Sequence, residues 1–243
     1  MSKEINITGW DFSKLIESGR MKETKVPWNY HSIVKQYMQG VKRMLDMGTG
    51  GGEFLISLAP LPEDTFATEG YQPNVSIAEE NLKPYGVKVI SGYKDDKLPF
   101  ENNYFELIIN RHEFYEPREV YRILKPGCVF ITQQVKGNCD DTIIELFNAN
   151  PEADSKDWGL DKAVKELMAN GFEIHDKQEA NGFTEFTDTA ALASYLKVIN
   201  WLVPDFSVHK YSHEINELET IISKHGKFRS TLDRFLLITQ KPL

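Results

Sequence analysis

Between Val41 and Val135 short apolar runs alternate with amphipathic stretches, the pattern of repeated strand–helix–strand units and of a mainly parallel sheet flanked by helices. The apolar runs predict strands over 42–47, 65–69, 87–91, 105–110 and 128–135. The amphipathic stretches predict helices over 52–59, 74–83 and 117–124. The run LIIN within FELIIN is apolar enough for a central strand buried on both faces. Lys125-Pro126-Gly127 stops the helix before it, because proline cannot continue a helix and glycine takes the terminal turn. Asp161 to Asn170 then has helical periodicity and ends at Gly171, and strands follow over 172–178 and 234–240. Between these strands lie residues 181–228, with Phe183, Phe186, Tyr195, Trp201, Tyr211 and a helix pair. A connection of this length inside a compact domain is usually functional, so the segment reads as a lid or substrate-specific insert. The expectation is one domain over 1–243, with residues 1–40 as an N-terminal helical flap and 181–228 as the insert.

Composition adds bounds to this picture. The chain has 243 residues, 41% hydrophobic and 26% charged, enough apolar content for a sizeable core. No stretch suits a signal sequence or reaches the roughly 18 apolar residues that a membrane span needs, which predicts a cytoplasmic protein without membrane partners. Cys128 and Cys139 lack the paired spacing of a zinc site and are too few for a disulfide framework. The formal charge of −8 argues against wholesale binding to a phosphate backbone, which depends on basic side chains.

The candidate chemistry centres on MLDMGTGGGE, Met44 to Glu53. Gly48, Gly50 and Gly52 follow a strand at two-residue spacing and feed a helix, so the chain can turn sharply and bring its backbone against a ligand. A dinucleotide fingerprint requires a glycine at 53, where Glu53 stands, and no Gly-Lys-Ser/Thr follows to make a triphosphate loop. Asp46, just before the loop, would repel a pyrophosphate and suits a ligand that carries positive charge. Glu69, at the end of the next strand, is placed to accept hydrogen bonds from ribose hydroxyls.

These segments together resemble the class I (Rossmann-like) S-adenosylmethionine-dependent methyltransferases, of the type 11 kind. LDMGTGGGE is similar to their first motif, Glu69-Gly70-Tyr71 to their ribose-binding motif, and Asp95-Asp96-Lys97-Leu98-Pro99-Phe100 to their adenine-side motif. FELIIN and RILKPG continue the likeness in order, from about Val41 to Val135. The resemblance implies a seven-stranded methyltransferase fold and S-adenosyl-L-methionine as cofactor. It implies that Asp46 orients the methionine end, with Gly48, Thr49, Gly50 and Gly52 forming the loop against it. Glu69 would hold the ribose, Tyr71 or a neighbour would border the adenine, and Asp95 or Asp96 would meet its amino group. Family members often carry an acid four positions before the Leu of Leu-Pro-Phe. Here that position is Lys94, which leaves the adenine contact open between the two aspartates.

Methyl transfer is an in-line displacement that depends chiefly on alignment, so a dedicated acid or base is optional. Asn110-Arg111-His112-Glu113 follows the fourth strand and belongs at the ligand-binding rim. Asn110 is expected to face the cofactor or the acceptor, His112 is the candidate catalytic base, and Arg111 could bind an acidic group. Trp28-Asn29-Tyr30-His31 could fold over the cofactor, with Tyr30 as the contact. His209 and His213, four apart, could share a helical face, but no HExxH or third ligand accompanies them and no metal is expected. The methyl acceptor is read as a small molecule. The alternatives are an RNA base, or a protein that binds the cofactor without catalysis.

Overall fold

The computed structural model describes residues 4–7, 9–150 and 156–243. In chain order these residues form α1 (Ser13–Glu17), β1 (Met21–Glu23), α2 (Tyr30–Tyr37), β2 (Arg43–Met47), α3 (Glu53–Ser57), β3 (Asp64–Thr68), α4 (Gln72–Leu82) and β4 (Lys88–Ile90). Next come β5 (Phe105–Arg111), α5 (Pro117–Ile123), β6 (Leu124–Val135), α6 (Asp141–Leu146), α7 (Leu160–Ala169) and β7 (Glu173–Ala180). The chain ends with β8 (Phe183–Phe186), α8 (Thr189–Val198), α9 (Ser212–His225), β9 (Phe228–Thr231) and β10 (Arg234–Gln240). The elements pack as two units, one of residues 27–135, 159–179 and 235–243, the other of the described residues within 1–26, 136–158 and 180–234.

The larger unit is built on a seven-stranded sheet of order β4-β3-β2-β5-β6-β10-β7. Its first five strands run parallel, as the alternating pattern predicts. Met44, Leu45, Phe105, Leu107, Ile108, Ile109, Phe130 and Ile131 are all buried, which is why these runs are apolar with little alternation. From β2 the chain steps outward to β3 and β4, then returns to the other side of β2 to lay down β5. That reversal opens a crevice at the carboxyl ends of β2 and β5, where open α/β sheets bind ligands. On the far side β10 runs against β6. Gly127 N–H donates to the Lys241 carbonyl, Lys241 N–H to the Cys128 carbonyl, and Thr239 Oγ1 to the Phe130 carbonyl.

One boundary departs from the sequence reading. The strand expected at 128 begins at Leu124, directly after α5, and runs through Pro126-Gly127. The register breaks there, with Phe105 opposite Leu124 but Leu107 opposite Val129. A bulge accommodates a proline that cannot donate to the ladder and a glycine at φ +75°.

The smaller unit has its own core and a three-stranded sheet of order β1-β8-β9. Met21 pairs with Phe186 and Phe186 with Phe228, and these side chains meet the apolar residues of α8 and α9. Residues 1–40 are therefore not one helical flap. α1 and β1 belong to the smaller unit because β1 needs β8 as its pairing partner, while α2 belongs to the larger. Residues 1–3 and 8 of that segment lie outside the described residues. The insert 181–228 contributes strands as well as the expected helix pair. His209 precedes α9, so it does not share a helical face with His213. No helix among the described residues is long and apolar enough to cross a membrane.

The turn that carries Asp95 and Asp96 is fastened to α5. Glu119 is buried and accepts from Leu98 N–H at 2.6 Å, and its carboxylate pairs with Arg122. Arg122 donates in turn to the carbonyls of Leu98 and Phe100 and to Asn102 Oδ1. Arg122→Ala leaves the Glu119 carboxylate and two carbonyls short of a donor. It is expected to cost about 2–3 kcal/mol in urea unfolding.

Candidate functional site

The loop after β2 is shaped by its backbone. Gly48 and Gly50 have φ of +67° and +63°, in the left-handed region that a side chain disfavours. At Gly48 there is a second requirement, since a Cβ there would collide with the side chain of Glu113. At Gly50 a Cβ would meet nothing within 4 Å, so the backbone is open to a ligand on that side. The ends of β2 and β3 hold the loop in place. Gly48 N–H donates to Thr68 Oγ1, Thr49 N–H to the Thr68 carbonyl at 2.9 Å, and Gly50 N–H to Glu69 Oε2 at 2.7 Å. The other Glu69 oxygen accepts from Tyr71 N–H at 2.7 Å. One buried carboxylate therefore ties the glycine loop to the turn after β3.

Carboxyl groups crowd this end of the sheet. Burial pushes Asp46 up to about 6, against the pull of the Thr49 hydroxyl and Arg111. Burial raises Glu69 too, although backbone donors favour its charged form. Glu113 is pushed up to about 7, by burial first and then by the charges of Glu69 and Asp95. Asp95 is raised by burial and by Asp96, and burial pushes the Tyr93 phenol up to about 12 despite a bond to Thr68. Among the described residues no basic side chain offsets Glu69, Asp95 or Glu113. A group of carboxylates without a cation favours a positively charged ligand.

The ends of β5 and β6 add a buried polar network. Asn110 Oδ1 accepts from Thr132 Oγ1 at 3.0 Å and from Gln134 Nε2 at 2.6 Å, and Gln134 Nε2 also donates to the Glu113 carbonyl. Asn110 is 0% exposed, and its Nδ2 has no protein partner. Behind this network, Trp28 Nε1 donates to Gln133 Oε1 at 2.7 Å. An indole can only donate, so the Gln133 amide must present Nε2 to His112, whose Nε2 lies 3.0 Å away and accepts. The neutral imidazole then carries its proton on Nδ1. His112 itself has φ +66°, and its N–H donates to the Gln133 carbonyl.

The sequence-derived residues are brought together unevenly. Asp46, Gly48, Thr49, Gly50, Glu69 and Asn110 cluster at the carboxyl ends of β2, β3 and β5, and Gly52 ends the loop against Leu82. Of the aspartate pair, Asp95 is half-buried and acts electrostatically on Glu113, whereas Asp96 is exposed. Tyr71 is 50% exposed at the start of α4. The buried Tyr30 hydroxyl donates to the Asn110 carbonyl at 2.9 Å, which leaves only its ring for a ligand, and that ring lies against Phe54. Arg111 lies over the same Phe54 ring, 4.4 Å from its centroid. Sequence reasoning gave no role to Glu113, Tyr93, Gln133 or Gln134. The polar pair Gln133-Gln134 at the end of an apolar strand was the available signal, since polar groups at a buried strand end usually serve a network.

Comparison with known proteins bears on the fold. Residues 45–132 match a protein family described as a methyltransferase domain. No curated protein matches the chain in sequence. Among solved structures, a candidate methyltransferase from Bacillus halodurans C-125 superposes with a TM-score of 0.64 at 16% identity, covering 88% of this chain and 99% of its own. The [4+2]-cyclase SpnF superposes with a TM-score of 0.58 at 18% identity, covering 88% of this chain and 80% of its own. A phosphoethanolamine N-methyltransferase from Haemonchus contortus, solved with phosphomonomethylethanolamine and S-adenosylhomocysteine, gives 0.55 at 16% identity. It covers 89% of this chain, which spans 53% of that protein. At these identities the likeness is one of fold.

The raised Glu113 carboxyl has a stability consequence. Its folded value of about 7 exceeds the unfolded value of about 4.3, so ionisation penalises the fold fully above pH 7 and not at all below the unfolded value. Glu113→Gln is expected to raise the melting temperature by about 3–6 °C at pH 8, and the gain should disappear near pH 4. Thermal melts across that range check the sign.

Proposed function

We propose, from the premise that this chain carries a class I, Rossmann-like methyltransferase domain, that it binds S-adenosyl-L-methionine and transfers the methyl group to a small molecule. The observation that carries the reading is the open backbone at Gly50 in a loop bordered by Glu69 and Glu113, carboxylates that no basic side chain among the described residues offsets, with the buried Asp46 just before it. The cofactor fits such a site because it bears a sulfonium and an ammonium group beside a ribose. The unpartnered Nδ2 of Asn110 adds a donor at the same strand ends.

When bound, the cofactor would supply an electrophilic methyl group on a cationic leaving group. Asp46 would orient the methionine end, with Gly48, Thr49, Gly50 and Gly52 providing the loop beneath it. Glu69, held at one oxygen by Gly50 N–H and at the other by Tyr71 N–H, would take the ribose hydroxyls. Tyr71 would border the adenine and Asp95, rather than the exposed Asp96, would meet its amino group. His112 would take a proton from the acceptor at Nε2, the unprotonated ring nitrogen, in exchange for the bond from the Gln133 amide. Tyr30 would act through the backbone of Asn110. The segment 181–228 is assigned acceptor selection on the length of that connection.

A small acceptor is favoured over RNA by the acidic rim and by the net charge of −8, both unfavourable to a polyanion. The small-molecule ligand named for the Haemonchus contortus enzyme points the same way. The cyclase on a similar fold is a reason to test transfer as well as binding. Incubation of metabolite and RNA pools with methyl-labelled cofactor is expected to label a small molecule. Label in RNA would support the alternative acceptor, and binding without label a non-catalytic protein.

Two sets of variants test the residue roles. Asp46→Ala and Glu69→Ala are each expected to weaken S-adenosylmethionine binding by about 10- to 100-fold while retaining the native circular dichroism spectrum. Unchanged affinity in both would remove the cofactor assignment. His112→Ala is expected to lower kcat by about 100-fold with cofactor affinity changed little, and an unaltered kcat would remove it from the mechanism.

A further inference from the structure

The Glu113 side chain occupies a position that the cofactor reading leaves unassigned. A Cβ built on Gly48 would strike the Cβ and Cγ of Glu113 and come within 2.6 Å of its Oε2, so the carboxylate end lies directly on the glycine loop. Glu113 is also close enough to Glu69 to be raised by its charge. In the reading above, the loop at Gly48 takes the methionine end of the cofactor and Glu69 takes the ribose. The atom that joins those two parts is the sulfur. A carboxylate that lies on Gly48 and within electrostatic reach of Glu69 would therefore stand beside the sulfur position.

This placement is built by the fold. The Glu113 carbonyl accepts from Gln134 Nε2 at 2.8 Å, and Gln134 is anchored to Asn110 and Thr132. The preceding residue, His112, is held in a left-handed conformation by its N–H bond to the Gln133 carbonyl. Its ring is fixed through Gln133 to Trp28. A second observation points to a ligand here. Asn110 Oδ1 is committed to Thr132 and Gln134 on β6, while its buried Nδ2 has no protein partner, and Asn110 stands opposite Met47, the last residue of β2 before Gly48.

We propose that Glu113 is the residue that makes this site prefer the sulfonium cofactor over its neutral thioether product, S-adenosylhomocysteine. The inference rests on the cofactor reading above and adds to it a source of product release. With the sulfonium present, the half-buried carboxylate has a cationic partner. Once the methyl group has left with the acceptor, the sulfur is uncharged and that partner is gone. The carboxylate then again faces the charges of Glu69 and Asp95, with the Phe114 backbone N–H but no cation on its side, which favours loss of the product.

Isothermal titration calorimetry with each of the two ligands, at pH 8, tests this. At that pH the Glu113 carboxyl, pushed up to about 7, is ionised. Wild-type protein is expected to bind S-adenosylmethionine at least about tenfold more tightly than S-adenosylhomocysteine, the scale of one lost charge-assisted contact. Glu113→Gln, nearly the same shape without the charge, is expected to erase most of that preference by weakening the sulfonium ligand alone. Equal weakening of both ligands, or an unchanged ratio, overturns the proposal and leaves the cofactor reading intact. Wild-type protein that binds the two ligands equally also overturns it, a result that needs no variant. Failure of wild-type protein to bind either ligand overturns the cofactor reading, and this inference with it.

Discussion

The bond between Gly50 N–H and the Glu69 carboxylate is the contact on which the site depends. It closes the glycine loop of β2 onto the turn after β3, and the second Glu69 oxygen fixes that turn through Tyr71 N–H. The loop's other anchors are Thr68, which takes Gly48 and Thr49 N–H, and Asn81, which donates to the Gly51 carbonyl. A buried carboxylate accepts such a task at an electrostatic cost. Glu69 then raises its neighbour Glu113, and Asp95 adds to the effect. The fold tolerates this crowding because the sheet and its helices bury enough apolar surface elsewhere, and the unfavourable charge is concentrated where a cation would relieve it.

The polar network at the ends of β5 and β6 serves the same site from the opposite wall of the crevice. Trp28, Gln133 and His112 form a chain whose donor and acceptor roles are set by the indole, which can only donate. Asn110, Thr132 and Gln134 form a second chain that fixes the Glu113 backbone. β5, which carries Asn110, neighbours both β2 and β6. The proposed chemistry thus rests on side chains held by strand ends, and the fold alone does not dictate the reaction, as a cyclase of similar architecture illustrates.

Much of this arrangement was legible in the sequence. The strands at 42–47, 65–69 and 105–110 appear within a residue or so as β2, β3 and β5, because runs that must be buried on both faces leave a continuous apolar signature. The helix that starts at Pro117 and stops before Lys125-Pro126-Gly127 follows from local backbone rules. The same rules misled at Leu124, where a bulge let the strand begin before the proline and glycine. They misled again over residues 1–40, because β1 is a strand only by virtue of pairing with β8, far along the chain.

The sequence by itself determined the glycine loop, the acid before it and the acid at the end of the next strand. Each depends on a local need, whether a positive φ, a strand end or a charge beside the turn. Only the tertiary structure decided that Glu113 lies on Gly48, that Asp95 and not Asp96 turns toward it, and that the Tyr30 hydroxyl is taken up by the Asn110 carbonyl. Those meetings depend on the chain returning to the far side of β2 after β4. No spacing along the sequence encodes which side chains then face each other across the crevice.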